Sequence, residues 1–109
     1  PTIGGAKAAN QLLDISGIKA SFVITEYNEK IYISARSIDE VNVQLVMEKL
    51  GGGGHMTIAG AQLTDCTVDQ AVQTLKRRST PSKKHWIICL RKEKYRNGSY
   101  FIRRCKVIG

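Results

Sequence analysis

Gly51, Gly52, Gly53 and Gly54, followed directly by His55, are the stretch whose residue types most directly suggest chemistry. Fixing a glycine costs roughly 0.5–1 kcal/mol of backbone entropy against alanine, so four in a row cost about 2–4 kcal/mol. A fold that keeps such a run is expected to use its missing side chains. A single glycine after the amphipathic residues 41–50 would be an ordinary helix cap. Four allow several backbone N–H groups to turn toward one point, with no Cβ to block a ligand. Such a concave set of amides binds anions, phosphate above all. His55 then stands at the rim, where an imidazole can donate to a phosphate or stack on a base. The competing reading is a flexible loop, the usual role of a glycine-rich stretch. The patterned apolar sequence on both sides, and the lack of Ser or Pro in the run, argue for the ligand loop. His55 taken alone is equally a packed or solvent-facing histidine.

The elements that would hold this loop follow from periodicity. Residues 6–15 have helical spacing, with Gly17 as a stop signal. Residues 20–25 and 30–35 are rich in β-formers and predict an antiparallel hairpin, with a turn centred on Tyr27-Asn28. Ser37 or Asp39 can cap a helix running through Leu50, whose stripe Val43, Val46, Met47 and Leu50 is core. A strand is expected near residues 60–63, where Ala59, Gly60 and Ala61 permit close backbone packing. Thr67 caps a last helix from Val68 to about Arg78, with Val68, Ala71, Val72 and Leu75 inward. The order predicts an α+β (α/β layered) fold, a small mixed β-sheet flanked by helices.

Composition divides the chain. Its 109 residues fit one small domain, or one domain with an appendage. Residues 1–76 hold six Lys/Arg against eight Asp/Glu, whereas residues 77–109 hold eleven against Glu93 alone. The whole net charge of +8 therefore lies in the tail. The expected domains are 1–76, a nucleotide-recognition unit, and 77–109, a basic tail. In that tail residues 85–90 can extend, and Asn97-Gly98 is a hairpin turn signal. The tail reads three ways. It is a short basic hairpin or extension; or a nucleic-acid arm with Trp86, Tyr95, Tyr100 and Phe101 as stacking groups; or a segment foreign to the domain. Cys66, Cys89 and Cys105 are odd in number and widely spaced, which suggests reduced cytosolic thiols rather than a disulfide framework or zinc site. No apolar run approaches a membrane span, and the missing initiator Met suggests a piece of a longer protein.

Four blocks together carry a family resemblance: Ser34-Ala35-Arg36-Ser37, Asn42-Val43-Gln44, the glycine run with His55, and Ala59-Gly60-Ala61-Gln62-Leu63. In this order and spacing, residues 6 to about 76 resemble the DHHA1 domain of the DHH/DHHA1 phosphoesterases. Within that family they look most like the C-terminal domain of the membrane-bound cyclic-di-AMP phosphodiesterases of Gram-positive bacteria. The resemblance implies a division of labour. A DHH domain holds two Mn²⁺ ions and generates the attacking hydroxide, while the DHHA1 domain closes over it and grips the nucleotide. It maps the substrate-binding positions to Arg36, Ser37, Gly51, Gly52, Gly53, Gly54 and His55. A planar guanidinium at Arg36 suits phosphate because it donates two hydrogen bonds at once. The plainer role for Arg36 is a solvated charge or a partner of Asp39. Ile58 stands where many members have Ala, and no Asp-His-His or set of Asp/His ligands occurs, so no catalytic or metal residue is expected here.

The expected function is therefore substrate recognition for a manganese-dependent phosphodiesterase acting on cyclic-di-AMP or related dinucleotides. This chain alone would be inactive and without cofactor, and its parent would be anchored in the membrane with this domain in the cytoplasm. Its partners would be cyclic dinucleotides or short oligonucleotides and the DHH domain of the same polypeptide. The alternatives are a nucleic-acid-binding module acting through the tail, and a homodimerisation module whose tail hairpin pairs edge to edge.

Overall fold

The computed structural model describes residues 5–78, 85–93 and 100–108. The elements are α1 (Gly5–Leu12), β1 (Ala20–Tyr27), β2 (Lys30–Ser37), α2 (Val43–Lys49), β3 (Gly53–Gly54), β4 (Ile58–Leu63), α3 (Val68–Arg78), β5 (Trp86–Glu93) and β6 (Tyr100–Ile108). The six strands form one mixed sheet in the order β3-β4-β2-β1-β5-β6. Every pairing is antiparallel except β1 with β5, which run parallel. The fold is α+β, as the periodicity requires.

Alternation sorts the side chains onto two faces. Phe22 and Ile24 of β1, Ile31, Ile33 and Ala35 of β2, and Trp86, Ile88 and Leu90 of β5 face α2 and α3 in the main core. Val23 and Cys89 face the other way and pack with Ala9 of α1. β1 is central, so both of its faces are buried over residues 20–25. That is why 20–25 reads as a nearly unbroken run, while β2 alternates cleanly between inward and outward positions.

Local signals explain the joints. The β1–β2 hairpin turns at Asn28-Glu29, one residue beyond the expected centre, and both have positive φ, as a two-residue type I′ turn demands. At α3, Thr67 Oγ1 accepts from the Gln70 amide at 3.1 Å, and the Gln70 side chain accepts from the Thr67 amide at 2.8 Å. This reciprocal pair is a capping box. α2 corrects the expected start. Ser37 is the buried last residue of β2, Asp39 has positive φ in the connecting turn, and Asn42 is the N-cap, its side chain accepting from the Leu45 amide.

The expected division after residue 76 is not a packing boundary. β5 pairs with β1 along seven residues, and Trp86 packs against Phe22 in a tilted contact with ring centroids 4.5 Å apart. The His85 carbonyl also accepts from the Lys19 and Ala20 amides where the two strands begin. β6 then extends the sheet from β5. The charge changes sharply at this point, but the unbroken apolar run of residues 86–90, buried at every position, completes the core. The Asn97-Gly98 turn signal lies outside the described residues.

Candidate functional site

The glycine run does two different jobs. Its first half ends a helix. The Gly51 amide donates to the Glu48 carbonyl at 3.1 Å, and the Gly52 amide to the Met47 carbonyl at 2.8 Å, while Gly51 has φ +86°. Those two bonds and that dihedral are the Schellman motif. Two of the four amides are therefore engaged by the helix, which leaves fewer of them to turn toward a ligand. Its second half, β3, is a short terminal strand against β4, with Gly53 opposite Gly60 and Gly54 opposite Ala59.

Close backbone approach dictates glycine at two of these positions. A Cβ on Gly52 would lie 2.1 Å from the Gly60 carbonyl oxygen, and one on Gly54 would lie 2.5 Å from both Ala59 Cα and the Ile58 carbonyl. Gly54 also has φ +143°. Gly53 is different, because a Cβ there meets nothing within 4 Å. Its lack of a side chain serves no packing need among the described residues.

The strand register brings Arg36 and His55 to one place. Arg36 of β2 is opposite Ile58 of β4, and the His55 amide donates to the Ile58 carbonyl at 2.6 Å. Arg36, Ile58 and His55 thus form a row across neighbouring strands, with the outer two roughly 10 Å apart at two strand spacings. The next row is Ser34, Gly60 and Gly53. Both rows lie on the α1 face of the sheet. α1 packs on β1 and β2, so it leaves β4 and β3 open on this side. The result is a shallow floor without side chains at Gly53 and Gly60, bordered by Arg36, the exposed Ile58 and the exposed His55.

Arg36 is held rather than free. Its Nε donates to Asn10 Oδ1 at 3.0 Å, and Nη1 donates to its own Ala35 carbonyl at 2.9 Å. Nη2 has no partner among the described residues. Partial burial pushes the guanidinium pKa down, yet an arginine keeps its charge under all physiological conditions. Asp39 is not its partner; the carboxylate–ammonium pair nearby is Glu40 with Lys19, at 3.2 Å. Asn10 is the site residue that sequence reasoning missed. It lies 26 positions from Arg36, and nothing in its own neighbourhood marks it.

Ser37 is placed beside Arg36 in sequence but on the opposite face. It is 3% exposed, and its hydroxyl is within donating distance of the Val41 carbonyl, at 2.7 Å, and the Met56 carbonyl, at 3.1 Å. The Ser37 amide donates to Thr57, and the Val43 amide to Met56. Ser37 thus ties the end of β2, the start of α2 and the 55–57 turn into one joint that positions His55. Two surface cavities, of about 470 and 400 Å³, lie along α3 and around Cys66, and neither is lined by the glycine run. With α1 on one side only, the candidate site is a face with one wall. Burial, and then the Asp65 charge, push the Cys66 thiol pKa up, which makes it a poor nucleophile.

Residues 5–79 match the DHHA1 domain model. The chain belongs to the DHHA1 domain family. It is 54% identical over 72 residues to the cyclic-di-AMP phosphodiesterase GdpP of Geobacillus thermodenitrificans, which covers 65% of this chain and 11% of that protein. It is 49% identical over 75 residues to the cyclic-di-AMP phosphodiesterase PdeA of Listeria monocytogenes, covering 68% and 11%. Among solved structures, an exopolyphosphatase-related protein from Bacteroides fragilis aligns with a TM-score of 0.62 and 26% identity, over 72% of this chain and 23% of that one. The chain thus spans about a tenth of the length of the curated phosphodiesterases it matches. The matched DHHA1 residues end with α3, before β5.

Among the described residues no group of three His, Cys, Asp or Glu side chains is placed to hold a metal.

Proposed function

We propose that this DHHA1 domain grips the phosphates of a cyclic or linear dinucleotide for a phosphodiesterase whose hydrolytic residues lie elsewhere in the polypeptide. The observation that carries this reading is the open, side-chain-free floor at Gly53 and Gly60, with Arg36 held at its border by Asn10. Gly53 is the telling position, since its missing Cβ leaves space that none of the described residues occupies. A guanidinium with a spare Nη2 can fork onto a phosphate, while a glycine strand lets the nucleotide approach the backbone closely. His55, on the exposed end of the same row, can donate to a second phosphate or stack on a base.

The relatives support a nucleotide substrate. Two of them are cyclic-di-AMP phosphodiesterases, and a third, 37% identical over 59 residues, is the bifunctional oligoribonuclease and PAP phosphatase NrnA of Thermus thermophilus. All three act on nucleotide phosphates. A face with one wall needs a second, which the catalytic domain of a longer parent supplies. That parent carries the Mn²⁺ ions and a membrane anchor. A relative in Onion yellows phytoplasma, 42% identical over 72 residues, is described as a membrane protein fused to large ribosomal subunit protein bL9. Among the described residues of this chain no helix is long and apolar enough to cross a membrane.

Calorimetric titration of the two-domain protein with cyclic-di-AMP and its linear product tests the reading. Arg36→Ala should weaken binding by about 1.5–3 kcal/mol, the scale of a hydrogen bond to a charged group. Unchanged affinity would exclude Arg36 from the site. The isolated chain should show no hydrolysis with added Mn²⁺.

A further inference from the structure

The side-chain-free floor at Gly53 and Gly60 has a second end. The next row across the sheet beyond it is Thr25 of β1, Tyr32 of β2 and Gln62 of β4. Alternation puts this row on the α1 face, the face that also carries Ser34 with Gly60 and Arg36 with Ile58. Its three members differ in cover. Thr25 is buried, and a Cβ on Gly5, the first residue of α1, would lie 3.5 Å from its Oγ1. Tyr32 is half-buried beside it, and Gln62 is exposed. β3 ends at the Gly53–Gly60 pairing and does not continue alongside Gln62. Neither the Tyr32 hydroxyl nor the Gln62 side-chain amide has a hydrogen-bond partner among the described residues. The floor is thus a trough with α1 along one side. Arg36, Ile58 and His55 close one end, and Tyr32 and Gln62 close the other. From Arg36 to Tyr32 along β2 is roughly 14 Å between Cα atoms.

We propose that Tyr32 and Gln62 form a subsite for an adenine base, an inference that rests on the reading of Arg36 as the phosphate grip. Each residue type supplies one half of base recognition. A phenol ring offers a face on which a base stacks. A side-chain amide offers one donor and one acceptor together. Adenine presents the complement, its N6 amino donor beside its N7 acceptor, and a glutamine pairs with both. Guanine presents two acceptors there, O6 and N7, and would set the glutamine oxygen against an acceptor. Directly opposed residues on antiparallel strands have Cβ atoms about 5 Å apart, so ring and amide are close enough to serve one base. The interval to Arg36, less the reach of a long side chain at each end, suits one nucleotide. Across it Gly60 and Gly53 let a sugar and its phosphate lie on bare backbone, while Ser34 sits under Gly5 of α1. The rival structural role is an ordinary cross-strand pair on a solvated sheet face.

The test is calorimetric titration of the two-domain protein with the linear dinucleotides pApA and pGpG. The unaltered protein should favour pApA by about tenfold or more, the scale of one bidentate amide–base pair. Gln62→Ala should erase that preference by weakening pApA alone. Gln62→Arg should turn it toward pGpG, because a guanidinium donates to both O6 and N7. Tyr32→Leu should weaken both dinucleotides about tenfold, and Tyr32→Phe, which keeps the ring, should stay within roughly twofold of the unaltered protein. Gln62 is exposed, so its variants decide the matter should Tyr32→Leu fail to fold. Arg36→Ala is the control for the phosphate grip, and should weaken both ligands equally while leaving the preference intact. If it does so while the Gln62 variants keep the original preference, the base subsite is wrong and the phosphate grip stands. If Arg36→Ala changes nothing, the grip is wrong and the subsite falls with it. Equal affinity of the unaltered protein for the two dinucleotides, or equal loss of both in Gln62→Ala, would also overturn the subsite.

Discussion

The two ends of this sheet are built from opposite materials. At one end Gly52, Gly54 and Gly60 let backbones meet at distances that no side chain would allow. At the other, β5 holds its neighbours through large side chains, Trp86 against Phe22 and Ile88 and Leu90 in the main core. The glycine end offers little burial and gains precision of backbone position. The tail end offers burial and carries the charge. Stability and recognition are thus expected to respond to mutation at different ends of one sheet, even though the sheet is continuous.

The strongest way to break this comparison is to remove the tail. Truncation after Lys76 strips Trp86, Ile88 and Leu90 from the core, each worth about 1.5–3 kcal/mol on full burial. Domains of this kind have only about 5–15 kcal/mol in total. The truncated chain should lose its cooperative thermal transition. A sharp melt near that of the full chain would show that β5 is an accessory, and that the unit matched by the DHHA1 family stands alone.

A pair of glycine substitutions sharpens the contrast within the other end. Gly52→Val drives a Cβ into the backbone of β4 and should cost about 3 kcal/mol in denaturant unfolding. Gly53→Val meets open space and should leave stability nearly unchanged, yet it should weaken dinucleotide binding in the two-domain protein by an order of magnitude or so. If Gly53→Val destabilises as much as Gly52→Val, the run is a packing device throughout.

Ser37→Ala is a smaller perturbation. It removes a buried hydroxyl and leaves the Val41 carbonyl short of that donor, while Met56 keeps the Val43 amide, for about 1–3 kcal/mol of stability. Nucleotide affinity should fall less than in Arg36→Ala, because Ser37 acts only through the position of the 55–57 turn. A larger loss of affinity than in Arg36→Ala would put Ser37 in contact with the ligand.

The smallest effect concerns acid. The Glu40 carboxyl is held below the usual carboxylate range by its own backbone amide and by the hydrogen bond from Lys19. A folded pKa below the unfolded one contributes stability above the unfolded value, and that contribution disappears as pH falls through the folded value. Glu40→Gln should therefore flatten the decline in melting temperature between about pH 5 and pH 3, with almost no change at neutral pH. An unaltered decline would show that the surface pair contributes nothing.

Much of this was legible in the residues themselves. The α2 stripe of Val43, Val46, Met47 and Leu50 is buried as its spacing requires. The Thr67 cap and the full extent of α3 follow from a capping box and a helical period, both of which are local. The family follows from four motif blocks in order. The start of α2 was misplaced because Ser37, Asp39 and Asn42 are all competent caps, and only the path of β2 decides which one the helix uses. The strand at 86–90 was legible in the tail, but its place beside β1 was not, because charge, which is exposed, dominates composition, while the unbroken apolar run determines packing.

The sequence by itself determined the elements, the family and the identity of the conspicuous site residues, because each rests on periods and spacings of a few positions. Only the tertiary structure decided what those residues do together. Strand register sets Arg36 and His55 in one row, turns Ser37 to the opposite face and brings Asn10 of α1 against the guanidinium. The approach of β4 separates Gly52, which packing requires, from Gly53, which it does not. Register and backbone approach arise between segments tens of residues apart, and no local window contains them.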